Sequence, residues 1–131
     1  MPTRRTLLSA LASATITLPL LSTAARAADT LKRGSFTGAS NHVTTGTGGL
    51  ITEGGKTYVS LADDFFFDGA PDPKVALGND GYDASTLLAP LKANTGAQSY
   101  ELPEGLDPAN YNEIWIWCER FNVPLGVAKL N

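Results

Sequence analysis

After residue 27, apolar and polar positions alternate in short runs and no segment carries apolar residues at helical spacing, so the pattern predicts strands joined by turns. Residues 35–39 and 43–52 form the first two expected strands. Glu53-Gly54-Gly55-Lys56 follows as a hairpin turn, because glycines accept the positive φ such a turn requires. The return strand, 57–61, places Val59 and Leu61 on one face and Tyr58 and Ser60 on the other, as expected when one side of a sheet is buried.

Phe65, Phe66 and Phe67 then sit between acids, and Gly69-Ala70-Pro71-Asp72-Pro73 reads as a rigid turn leading into a strand over 74–77. The stretch 78–96, with Asn79-Asp80-Gly81, Pro90 and Asn94-Thr95-Gly96, reads as a long loop with one extended piece around 87–91. Residues 99–102 form another strand. Asp107-Pro108 pairs an N-cap residue with proline at the first helical position, the signature of a single helical turn. Finally, Glu113–Cys118 alternates aliphatic with aromatic residues, and 122–130 carries Val123, Leu125 and Val127 on one face. These two strands pair as a hairpin around 119–122. The expected fold is all-β, a single antiparallel sandwich or small barrel of about seven strands with one short helical turn.

The start of the chain follows another pattern. Arg4 and Arg5 precede a modestly apolar stretch, 7–21, and Ala25-Arg26-Ala27 offers the small residues of a cleavage site. Residues 1–27 thus read as a signal peptide of the twin-arginine type, cut between Ala27 and Ala28, and residues 28–131 as one domain. The apolar stretch is too short and polar to span a bilayer, so no membrane anchor is expected after cleavage. The expected location is periplasmic or secreted. Cleavage removes Arg4, Arg5 and Arg26 but none of the 13 acids, taking the formal charge from −3 to −6. That charge argues against nucleic acid as a partner, since such binding needs a basic patch.

The chain has one cysteine, Cys118, so no internal disulfide forms. Cys118 shares strand parity with Ile114 and Ile116, whereas Trp115 and Trp117 point the other way. Two readings stay open: a small buried hydrophobe, or a thiol at a strand end whose thiolate Arg120 favours. His42 is the sole histidine, readable as a surface residue bonded to backbone or as Cys118's companion in a copper or haem site. Zinc is disfavoured, since structural zinc sites take four Cys or His ligands.

Asp63, Asp64, Asp68, Asp72, Asp80 and Asp83 invite a calcium reading, but their spacing matches no EF-hand loop. They read as a solvated acidic rim, with Asp68, Asp72, Asp80 and Asp83 kept as weak metal candidates. Gly46-Thr47-Gly48-Gly49 resembles a phosphate loop only superficially, because no helix follows it. No nucleophile elbow is present, and stand-alone catalysis is not expected.

Several blocks in order resemble one family, the DM-thirteen domain. They are Gly34-Ser35-Phe36-Thr37-Gly38 with His42 and Gly46, Phe67-Asp68-Gly69-Ala70-Pro71-Asp72-Pro73-Lys74-Val75, the run 88–100, and Trp115-Ile116-Trp117-Cys118-Glu119-Arg120-Phe121 with Val123-Pro124-Leu125-Gly126. The resemblance implies an all-β electron-transfer module in which the cysteine matching Cys118 is the redox centre, as a free thiol or as ligand to a group such as haem. His42 matches the family's recurrent histidine. Redox partner and cofactor stay unnamed at this stage. The competing expectation is a non-catalytic extracytoplasmic binding or adhesion domain, recognising a surface ligand, with a structural cysteine.

Overall fold

A computed structural model describes residues 28–131; the expected signal peptide, 1–27, lies outside the described residues. Eleven strands follow in chain order: β1 (Asp29–Gly38), β2 (Thr44–Thr45), β3 (Thr47–Glu53), β4 (Lys56–Leu61), β5 (Phe66–Phe67), β6 (Pro73–Gly78), β7 (Tyr82–Asp83), β8 (Ala89–Pro90), β9 (Gln98–Glu101), β10 (Glu113–Cys118) and β11 (Val123–Lys129). Eight of them form one curled antiparallel half-barrel in the order β7-β6-β10-β11-β1-β3-β4-β9, with β8 also on β6; β2 and β5 make a separate ribbon. The all-β expectation holds. Among the described residues, helical structure is limited to two single 3-10 turns, Ala84–Thr86 and the expected Pro108–Asn110, capped by Asp83 and Asp107.

The alternation explains the half-barrel. Residues that face inward at every second position, among them Leu50, Val59, Leu61, Val75, Leu77, Ile114, Ile116 and Ala128, are buried in one core with Phe36, Phe65, Phe67 and Tyr100. Each large side chain so enclosed stabilises the fold by about 1.5–3 kcal/mol through apolar burial. The Gly54-Gly55 turn forms as expected, with φ +59° and +80° and Glu53 opposite Lys56.

Three expectations are corrected. First, the strand over 43–52 is broken at Gly46, whose φ of +96° turns the chain out of the main sheet. The piece before it, β2, pairs with β5 instead, and the ribbon folds over the core with Thr44 against Gly126 and its hydroxyl donating to the Leu125 carbonyl (2.9 Å). Second, Val123, Leu125 and Val127 do not share a face. Ile116 opposes Gly126 while Trp117 opposes Pro124, so Leu125 is the extra residue of a β-bulge; it points inward, and Val127 lies opposite Trp115. Third, 78–96 is not a plain loop. Asn79-Asp80-Gly81 turns β6 back into β7, and Thr86 is buried with its hydroxyl donating to the Leu77 carbonyl (2.9 Å).

β1 changes partner along its length. Residues 29–35 pair with β3 and residues 36–38 with β11, so one strand joins the two halves of the sheet.

Candidate functional site

At one end of the half-barrel, β1 ends at Gly38, β11 begins at Val123, β10 ends at Cys118 and β6 begins at Pro73. Cys118 is central in this row, opposite Val123 on one side and Pro73 on the other. Its parity with Ile114 and Ile116 sends the thiol inward, and it is 1% exposed within the aliphatic core.

Asp72 holds the hairpin tip that follows. Its carbonyl accepts from the Glu119 amide (3.2 Å), its carboxylate from the Arg120 amide (3.0 Å) and from Lys74 Nζ (3.0 Å). The hydrogen bond from Lys74 is the main reason this carboxyl sits below its ordinary pKa. Arg120 itself is exposed, and its charge acts on Asp72 in the same direction.

His42 reaches the same end by a tight turn. Ser40 and Asn41 both adopt left-handed backbone (φ +54° and +62°), and the His42 amide closes the turn on the Ala39 carbonyl (3.0 Å). The imidazole Nδ1 lies 2.8 Å from Asp68 Oδ1, while Asp68 Oδ2 accepts from the Val43 amide (3.0 Å). A carboxylate partner requires the proton on Nδ1. The ring also lies over Phe67, centroids 5.7 Å apart. His42 and Cys118 therefore share an end of the sheet but stand on elements separated by β11, and no hydrogen bond joins them. The imidazole is committed to Asp68 and Phe67 instead.

Asp68 has a lowered pKa, first because of the Val43 amide and then because of His42; Asp64 is lowered likewise by the Thr47 amide and hydroxyl. A carboxyl lowered in the folded state contributes stability above its unfolded pKa of about 3.9, and loses it as pH falls through the lower folded value. Asp68→Asn should therefore melt below wild type at pH 7 and level with it near pH 2, which thermal unfolding by circular dichroism across that range will read. An unchanged gap at both pH values would show that the charge at Asp68 is not what matters.

Trp115 and Trp117 occupy the outer face of β10. Tyr82 of β7 stacks on Trp117 with centroids 3.6 Å apart and planes 7° from parallel, and Trp115 meets Trp117 edge-on at 5.9 Å. Ala76, fully buried, sits opposite Trp115 on β6. Sequence reasoning missed Tyr82 because it assigned that stretch to a loop. The Asn79-Asp80-Gly81 turn, between apolar runs, is the signal that could have found it.

The acidic candidates are spread over separate local tasks. Asp68 holds His42, Asp72 holds the hairpin tip, Asp80 exchanges hydrogen bonds with Asn112, and Asp83 caps the Ser85 amide (3.0 Å). Among the described residues, no three His, Cys, Asp or Glu side chains converge on a common point.

Haem and copper can be tested against these donors. Copper of the thiolate type takes Cys with two further nitrogen ligands, and His42 is the one imidazole in the chain. Haem needs open space at its axial sulfur, whereas Cys118 is enclosed by side chains. Among the described residues, four surface hollows of about 180–410 Å³ are lined by other residues, such as Ser35, Thr37, Val127 and Lys129. The donor set as folded fits neither group.

Compared with known proteins, the chain matches the family model described as electron transfer DM13 over residues 35–130. No curated protein matches it. No solved structure does either.

Proposed function

Since the chain belongs to the electron transfer DM13 family, we propose that it is an exported electron-transfer module working through Cys118 as an unligated thiol. The observation that carries this reading is the enclosure of the sole thiol at the end of the central strand β10. An exposed thiol in an oxidising compartment is consumed by disulfide exchange and dissolved oxidants, both of which need direct access to sulfur. An enclosed thiol is spared these reactions. One-electron exchange through the surrounding protein is the redox chemistry left open to it. The export half of this reading is supported by Arg4, Arg5 and the Ala25-Arg26-Ala27 site, which favour the periplasm or the outside of the cell.

The test is the number of electrons the folded protein exchanges. Mediated electrochemical titration should remove one electron equivalent per chain from wild type and none from Cys118→Ser of unchanged circular dichroism. A folded wild type that exchanges no electrons would overturn the proposal.

The same enclosure favours a second reading, a binding or adhesion domain for a surface ligand in which Cys118 only fills core space. On that reading Cys118→Ser costs about 1–3 kcal/mol for a poorly paired buried hydroxyl and changes nothing else. Loss of one electron by wild type decides between the two.

A further inference from the structure

We infer that the stacked Tyr82 and Trp117 rings are the port through which electrons reach and leave Cys118. The inference rests on the redox reading above. A sulfur that is 1% exposed is touched by no partner directly, so its electrons must cross protein. Trp117 is its neighbour in the chain, and the path Sγ–Cβ–Cα–N–C–Cα–Cβ joins the sulfur to the indole from one face of the sheet to the other. Indole and phenol are the aromatic side chains that most readily lose one electron.

The geometry suits that role. The near-parallel contact of Tyr82 and Trp117 lets a missing electron spread over both rings, and Trp115 lies edge-on to Tyr82 at 6.5 Å. Each indole N–H is held by an oxygen acceptor, Trp117 by Asn122 Oδ1 (3.1 Å) and Trp115 by Glu113 Oε1 (3.3 Å). Such acceptors stabilise positive charge on the ring. All three rings are half-exposed on the outer face, so a carrier docks against them without opening the core. Lys74 stands opposite Trp117 on β6 and pairs with Asp72 (3.0 Å) and Glu119 (3.9 Å), so charges of both signs border the port.

In the step itself, an external oxidant takes one electron from the stacked pair and is reduced by one. The Cys118 S–H bond breaks: one of its two electrons fills the vacancy in the rings, the other stays on sulfur as a thiyl radical, and the proton leaves to water at the hairpin tip. A one-electron reductant, with a proton, reverses each part.

The experiment uses flash-generated tris(bipyridine)ruthenium(III) as the one-electron oxidant, with oxidation of Cys118 read, after quenching and unfolding, as loss of titratable thiol and by peptide mass spectrometry. Trp117→Phe and Tyr82→Phe keep aromatic shape but resist oxidation, so each should slow Cys118 oxidation several-fold while leaving the melting curve near wild type. Tyr58→Phe, on the distant β4, should change nothing. If wild-type Cys118 is oxidised and neither port variant slows it, the port is wrong and the redox reading stands. If wild-type Cys118 is never oxidised, the redox reading fails and the port with it.

Discussion

Phe67→Ala should cost about 3–5 kcal/mol of stability, a drop in melting temperature of roughly 12–40 °C for a domain of this size. Phe67 is 1% exposed, and it enters the core from a two-strand ribbon rather than from the main sheet. Its ring fills space among core side chains, and its backbone ties the ribbon to neighbouring loops, the Phe67 amide donating to the Asn94 carbonyl (2.7 Å). Removing the ring leaves a cavity that rigid strands on the opposite side cannot collapse to fill. It also takes away the surface on which the His42 imidazole rests, so the Asp68–His42 contact should loosen with it. Phe66, the adjacent residue on the outer side of the ribbon, is 42% exposed, and Phe66→Ala should stay within about 0.5 kcal/mol of wild type. Urea unfolding of both variants measures the contrast. Equal, small losses would mean that the ribbon is an appendage and not a part of the core.

The second large effect is expected at Gly46. Its φ of +96° is a conformation that side chains disfavour, and a Cβ there would meet the backbone of Asp64 and Phe65 at 2.5–2.6 Å. Conformational strain of about 1–2 kcal/mol adds to a steric clash of about 1–3 kcal/mol, so Gly46→Ala should lose about 2–5 kcal/mol. Gly54 separates the two contributions. It also has positive φ, +59°, but nothing lies within 4 Å of its would-be Cβ. Gly54→Ala should therefore show the conformational cost alone, about 1–2 kcal/mol. Similar losses at the two glycines would show that β2 is free to shift away from the Asp64–Phe65 backbone.

Much of this architecture is legible in the sequence wherever a single period governs a segment. β10 is the clearest case, since Ile114, Ile116 and Cys118 alternate with Trp115 and Trp117 and the two sets do separate by face. β4 and its glycine turn are equally plain. Alternation fails where one residue breaks the period, because shifting a strand by one position turns every later side chain to the other face. The Leu125 bulge does this in β11, moving Val127 outward and Ala128 inward. Gly46 does it between β2 and β3, where the composition still looks like one continuous strand. Neither break leaves a local mark strong enough to read.

The candidate site was legible in its residues and not in its pairings. Cys118 and His42 stand out in the sequence as candidates, whereas their place toward the same end of the sheet comes from the fold. The partner actually taken by His42 is Asp68, on a ribbon the sequence did not reveal, and the ring that stacks on Trp117 belongs to a strand hidden in an apparent loop. Such long-range choices depend on how the sheet curls, which no local pattern encodes.

The division of β1 between two partners bears on the order in which the chain folds. Phe36 cannot take its place beside Ala128 until β11 has been made, so the half-barrel cannot close while the ribosome still holds its far end. β3 with β4, and β10 with β11, can pair early as local hairpins, but the two halves of the sheet are joined only by the distant β1–β11 contact, and contacts of that separation are slow to form. Until that contact forms, the thiol that the finished fold encloses stands open.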